Sequence, residues 1–500
     1  MSFPDGVSHA PTSVINSVDS DFAVSPVNTV GHGEDAAREN YERKDVESER
    51  ELDPFAHADL GEDRRNAQTT TTNLQTLMHL LKGNIGTGIF AMASAVNNAG
   101  LATGTIAIVV MGFICIHCMH ILVNCAHHLC KVEGKNALDY GEVVQAAFRQ
   151  SSYSKYANLS KKVVDLFIIV SQFGFCCVYI VYVATTLQDV IRYYTDVELP
   201  IQAYTAMVLP FLILLCYIRS LKILAPFSLA ANLILCTCLV IIFVYVFGHL
   251  KSVDSVPQFA GWSKLPLFFG TAIYAFEGIG IVLPIENRMK NPQDFGGWTG
   301  ILNVGMVIIT ALYTAAGFFG YLAFGTEIED TITLNLPHKG IYIVVILLVG
   351  LVVFYSYSLQ FYVPFEILWP TVKKRLRTPL QVKIGEYLFR TGIVIFTFLL
   401  AVAIPKLGLF ISLVGAVGSS SLALIFPPVL ETVTYGWQNQ GKLHWKLIKN
   451  AAIFIFGILG FVTGTYVAIL EIVLSFEKDA RDSATTTAIP TQAVHVQYLS

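Results

Sequence analysis

Apolar residues in this chain fall in long runs with few interruptions. A membrane-crossing helix needs about 20 predominantly apolar residues at about 1.5 Å rise each. Runs of that length occupy 74–98, 101–129, 163–191, 201–218, 223–248, 265–287, 298–324, 340–368, 382–404, 408–432 and 447–475, which predicts eleven spanning helices and an all-α polytopic membrane protein. The chain then divides into residues 1–73, an acidic N-terminal segment, 74–475, the spanning body, and 476–500, a short C-terminal tail. Residues 1–66 show no sustained apolar period and mix Ser, Pro, Asp and Glu, so they read as a disordered tail. The first ten residues, MSFPDGVSHA, lack a basic n-region and an apolar h-region, so no cleavable signal peptide is expected.

Composition agrees with the pattern. Of 500 residues, 54% are hydrophobic and 14% charged, and the mean hydropathy is +0.57. Soluble domains carry about a quarter charged residues. The formal net charge of −3 conceals two unlike parts: residues 1–73 hold 15 acids and 6 bases, leaving 21 acids and 27 bases for the rest. A single soluble domain, a basic nucleic-acid binder and a fibrous repeat are excluded. Lys131, Lys135, Arg149, Lys155, Lys161 and Lys162, and then Lys373, Lys374, Arg375 and Arg377, fall in loops on the side of the N-terminal segment. The opposite loops hold little beyond Lys251, Lys264 and Lys339, and 326–330 is acidic. Positive loops stay cytosolic, so the N-terminus is expected in the cytosol and the C-terminus outside or in a lumen. The sequon Asn158-Leu159-Ser160 would then be cytosolic and unused. All nine cysteines lie in apolar runs or, for Cys130, at the edge of one, which implies no disulfide framework.

Glycine interrupts two of the runs. The first span contains Gly83-Asn84-Ile85-Gly86-Thr87-Gly88 and the sixth contains Phe276-Glu277-Gly278-Ile279-Gly280. Glycine costs about 1 kcal/mol against alanine in a helix interior. Breaks offset by five helices are expected when two five-helix halves repeat with inverted topology, each opening on a discontinuous helix. Unwinding frees backbone N–H and C=O groups that must line a protein or water cavity. Half-helix N-termini then suit a carboxylate and freed carbonyls suit an ammonium, so an α-amino acid is the natural ligand. The competing reading is that the small residues serve close helix packing, and for Gly83, Gly86 and Gly88 taken alone the two readings stand level. The matching second break tilts the balance toward a transport site.

Titratable groups at membrane depth are costly and usually functional. His79 precedes Asn84 by five residues, about 7 Å along the axis, and imidazole titrates near neutral pH. A neutral, hydrogen-bonded histidine is the competing reading. Glu277 lies inside the second break, where it suits a proton carrier, a substrate-amine partner or a cap for freed N–H groups. His117, His120, Asn124 and His127 follow helical spacing, with cysteines between them. Such a stripe runs about three turns, too long for one tetrahedral metal site, so it is read as a polar stripe facing the bundle. Ser356 and Ser358 offer oxygen ligands for an ion, although serines in membrane helices mostly bond their own backbone. No cofactor is expected beyond protons as coupling ion.

The run Leu77-Met78-His79-Leu80-Leu81-Lys82-Gly83-Asn84-Ile85-Gly86-Thr87-Gly88 resembles the first helix of the proton-coupled amino acid transporters, in the amino acid/auxin permease group. His117-Cys118-Met119-His120-Ile121-Leu122-Val123 and Tyr274-Ala275-Phe276-Glu277-Gly278-Ile279-Gly280 look like the same family, over about residues 70–475. The resemblance implies a leucine-transporter-type 5+5 inverted repeat and symport of protons with small neutral amino acids. It also implies proton coupling at His79, with Glu277 as second candidate, and a substrate site at Gly83, Asn84, Ile85, Gly86, Thr87, Gly88, Phe276, Gly278 and Gly280. Two departures stand out. Family members commonly have proline where Ala93 stands, and the exterior cysteines of mammalian-type members are missing from 192–200 and 326–339. Expected partners are small neutral amino acids, protons and the lipid bilayer of a plasma or endolysosomal membrane, with no nucleic acid. An amino acid sensor acting on nutrient-signalling partners through the N-terminal tail, and a sodium-coupled carrier, are the alternatives. No HExxH, GxSxG or P-loop spacing points to an enzyme.

Overall fold

Each of the eleven apolar runs is helical in the computed structural model, which describes residues 71–195, 198–218, 221–436 and 444–487. The expectation of a disordered tail over 1–66 lies outside the described residues. In chain order the helices are α1 (Asn73–Asn84), α2 (Thr87–Ala99), α3 (Leu101–Glu133), α4 (Tyr140–Gln150), α5 (Ala157–Thr195), α6 (Ile201–Cys216), α7 (Leu221–Phe247) and α8 (Leu265–Ala275). There follow α9 (Ile279–Glu286), α10 (Ile301–Phe324), α11 (Ile341–Lys373), α12 (Pro379–Ala403), α13 (Leu407–Val414), α14 (Phe426–Tyr435) and α15 (Trp445–Thr487). Among the described residues, nine helical stretches are long and apolar enough to cross a bilayer. The first run does not qualify because it is split into α1 and α2, and α6 is 16 residues long, about 24 Å.

Two breaks fall where the glycines predicted them. Ile85 and Gly86 separate α1 from α2, and Phe276 to Gly278 separate α8 from α9. A third irregularity was not expected. Between α13 and α14 the chain takes two π-helical turns, Gly415–Ser419 and Ser421–Ile425. The basic segment 130–162 also contains a helix, α4, which buries Tyr140, Val143, Val144 and Ala147. That i, i+3, i+4, i+7 face packs on α5, and the Tyr140 hydroxyl donates to the Leu422 carbonyl at 2.8 Å. At the other end, α15 continues to Thr487, into the stretch expected as a tail, with a Glu477–Arg481 pair one turn apart at 3.2 Å.

Polar starts give the helices on the basic-loop face their caps. Thr72, Asp139 and Thr378 each accept from a backbone N–H three residues on, and Gln75, Glu142 and Gln381 bond back. The helices sort into two groups by packing. α10 lies against α1, α2 and α3, and α8 lies against α2, forming one bundle. α5 packs most extensively on α11, and also on α6 and α12, forming the second. α15 covers α8, α13 and the π turns. Large apolar side chains such as Ile106, Phe113, Phe211, Leu233, Val244, Leu388, Leu459 and Tyr466 point outward, which in a bilayer places them against lipid. The one arginine buried in α12, Arg390, donates to the Cys216 carbonyl at 2.9 Å, pairs with Glu386 and lies over the Phe365 ring.

Candidate functional site at the paired breaks

The half-helices pair across the two breaks. α2 meets α8 so closely that a Cβ on Gly88 would stand 2.6 Å from the Ala275 Cα. The buried hydroxyls of Thr87 and Tyr274 bond there at 2.8 Å. On the other side α1 meets α9: a Cβ on Gly83 would strike the Ile281 side chain, and one on Gly278 would strike the Asn84 amide. A short extended pairing clasps the outer ends of these two half-helices. Thr71 N–H donates to the Arg288 carbonyl at 2.8 Å and Lys290 N–H to the Thr71 carbonyl at 3.0 Å. The Asn73 side chain adds a bond to Asp294 at 2.8 Å.

Tyr313 of α10 joins the breaks to each other. Its hydroxyl reaches the Asn84 carbonyl at 2.5 Å and the Ala275 carbonyl at 2.9 Å. These are the last carbonyls of α1 and α8, and each lacks the intrahelical partner an unbroken helix would supply. The ring is fully buried and stands edge-on to Phe276, centroids 5.1 Å apart. Phe276 therefore packs behind the break. The N-terminus of α2 carries no side-chain cap. Facing it, a Cβ on Gly86 would lie 3.6 Å from the Tyr179 hydroxyl, which accepts from Gln360 at 3.3 Å. Buried Asn84 donates to the Leu80 carbonyl, while its Oδ1 has no partner among the described residues. Around Gly280 there is open space.

The expected site glycines thus separate by role. Gly88 and Gly278 are demanded by close packing, which was the competing reading, whereas a Cβ on Gly86 would only touch the Tyr179 hydroxyl and Gly280 borders open space. Glu277 sits in the second break, but it does not cap the freed N–H groups. Its carboxylate accepts from Ser171 of α5 at 2.6 Å and from Ser419 in the first π turn. Gly418 makes this possible, since a Cβ there would press on Ser171. His79 lies on an exposed face of α1, apart from the breaks. Among the described residues it has no hydrogen bond, and the charges acting on it, Lys82 and Arg288, are both positive.

The histidine stripe of α3 splits between neighbours. His120 meets Asn303 of α10 at 2.7 Å, His127 meets Glu286 of α9 at 3.0 Å, and the buried Nε2 of His117 has no partner among the described residues. Ser356 and Ser358 bond the carbonyls of Val352 and Tyr355 on their own helix. Ala93 faces Gly320 of α10, where a Cβ would come within 2.8 Å. Sequence reasoning missed Tyr313, Ser171, Ser419 and Tyr179. Two signals pointed to some of them. A tyrosine in a spanning helix must find a hydroxyl partner, and Gly415, Gly418 and Ser419-Ser420-Ser421 interrupt their run much as the glycines of the two breaks do.

Two half-helix pairs meeting at mid-bundle, beside a second helical group, define a secondary transporter of the leucine-transporter type. The solved inward-facing conformation of Mhp1 has this fold: it aligns with a TM-score of 0.51 at 15% identity, covering 83% of this chain and 92% of that one. Residues 69–470 match the model of the family described as transmembrane amino acid transporter protein, and the chain belongs to that family. It is 37% identical over 432 residues to the Drosophila melanogaster proton-coupled amino acid transporter-like protein pathetic, covering 86% of this chain and 90% of that protein. It is also 30% identical over 421 residues to the probable amino acid transporter skat-1 of Caenorhabditis elegans, covering 81% of this chain and 91% of that protein.

Proposed function

We propose that this membrane transporter is a proton-coupled symporter that carries small neutral amino acids of the glycine, alanine and proline class into the cytosol. The membrane would be the plasma or an endolysosomal one, with the N-terminus cytosolic and the C-terminus outside or lumenal. The observation that carries this reading is the meeting of both breaks at Tyr313, beside the uncapped start of α2. There, backbone N–H groups suit the substrate carboxylate, and the carbonyls of Asn84 and Ala275, which now accept from Tyr313, would suit its ammonium once the half-helices part. The Tyr179 hydroxyl faces Gly86 so closely that even a Cβ there would be in van der Waals contact with it, which leaves room only for small side chains. The Drosophila relative's name supports proton coupling.

Glu277 is the stronger candidate for the proton. Ionised, it accepts hydroxyl bonds from both Ser171 and Ser419. Protonated, it gains a donor and loses acceptor capacity, so one serine link must turn or break. That would loosen the second break from α5 and the π turn, a linkage between protonation and bundle movement. His79 remains a candidate through family resemblance alone. The test is radiolabelled uptake into proteoliposomes across an amino acid panel at two exterior pH values. Electrogenic uptake of glycine, alanine or proline that rises with acidity is expected, and uptake indifferent to a proton gradient would overturn the reading.

A further inference from the structure

The turn joining α11 to α12 collects positive charge beside an apolar stripe. From Ile367 to Gly385 the chain has five bases, Lys373, Lys374, Arg375, Arg377 and Lys383, and no acid. A cavity of about 520 Å³ opens there, lined by Arg375, Leu376, Arg377, Leu380, Ile384 and Leu388. Gly385 makes room for it: a Cβ at that position would lie 2.8 Å from the Leu376 side chain, which folds over the glycine. The Gln381 side chain accepts from the backbone N–H groups of Arg377 and Thr378 at 3.1 and 3.2 Å, holding the turn in shape. Among the described residues, neither Arg375 nor Arg377 has a carboxylate partner. The acids flanking this segment are Glu366 and Glu386, and Glu386 is engaged by Arg390.

Leu380, Ile384 and Leu388 are spaced one turn apart on α12 and are 65%, 50% and 68% exposed. Leu388 stands nine residues into the helix, about 14 Å from its start. That lies inside the run 382–404 expected to span the bilayer, where acyl chains rather than a soluble protein or a free phosphate meet the stripe. Two arginines lining one groove with a lipid-facing apolar track match a phosphate joined to an acyl chain. We infer that this groove binds an anionic glycerophospholipid, its headgroup phosphate on Arg375 and Arg377 and an acyl chain along Leu380, Ile384 and Leu388. The inference rests on the cytosolic placement of the basic loops, because anionic lipids concentrate in the cytosolic leaflet.

The experiment uses the full-length protein in vesicles of phosphatidylcholine alone, or with added phosphatidylserine or phosphatidylinositol bisphosphate. Each lipid carries a photoreactive acyl chain, and crosslinks are mapped by mass spectrometry. Crosslinks within 376–388 from the anionic lipids, but not from phosphatidylcholine, are expected. Replacing both arginines (R375Q with R377Q) should weaken occupancy about thirty-fold, roughly five-fold for each cation lost. Gly385→Met should block the groove with every charge in place, which keeps the test decisive if the double variant misfolds. Removing two charges elsewhere on the same face (K155Q with K162Q) should leave these crosslinks unchanged. Equal loss from that control would mean diffuse attraction and overturn the site. Phosphatidylcholine labelling as strong as the anionic lipids, or complete competition by soluble inositol trisphosphate, would overturn it too.

Discussion

Replacing Tyr313 by phenylalanine isolates a single hydroxyl. The ring and its edge-on contact with Phe276 are kept, so no cavity of consequence forms. What is lost is, among the described residues, the only side-chain donor that reaches both the Asn84 and Ala275 carbonyls, in a buried region. A buried acceptor deprived of its partner costs about 1–3 kcal/mol. One hydroxyl hydrogen serves two carbonyls here, so the cost belongs to the pair and should not be counted twice. If the two half-helices separate during transport, the bond exists in one conformation only, and its loss shifts the conformational ratio by about 5- to 150-fold. The assays are thermal unfolding of the purified protein and initial uptake rates over substrate concentration. Tyr321 of the same helix supplies the control, because its buried hydroxyl has no partner among the described residues. Tyr321→Phe should leave stability level or improve it, whereas Tyr313→Phe should lower stability and change uptake. Equal behaviour of the two variants would refute the bridging role.

Gly88→Ala should destabilise by about 1–3 kcal/mol through overpacking against Ala275. Gly280→Ala has open space and should gain stability, about 1 kcal/mol on helix propensity, while weakening substrate affinity; a loss of stability there would contradict the geometry. Glu277→Gln should give uptake that no longer responds to exterior pH in protein that still folds, whereas pH-responsive uptake in that variant would return the role to His79. In the loop between α10 and α11, burial pushes the Asp330 carboxyl above the usual range, against the lowering effects of the Gly408 N–H and Lys406. The docked loop therefore holds a proton more tightly than an undocked one, and its docking should weaken as pH rises from the ordinary carboxylate pKa through the raised value. Thiol labelling of Leu336→Cys, taken relative to the same variant carrying Asp330→Asn, should rise across that window; a flat ratio would remove Asp330 from loop docking.

Sequence alone determined the elements whose causes are local. Apolar length set the helical runs, and glycine clusters set the breaks in the first and sixth, because both act within one or two turns of chain. Capping residues at Thr72, Asp139 and Thr378 belong to the same level. Only tertiary structure decided which groups answer one another across the breaks. Tyr313 is 229 residues from Asn84, and Ser419 is 142 from Glu277, so no spacing rule connects them. The glycines show the division most plainly. Gly86 and Gly88 are alike in sequence, yet one borders the Tyr179 hydroxyl and the other presses on the Ala275 backbone. The difference lies in what another helix places beside each, because desolvation and packing depend on neighbours in space.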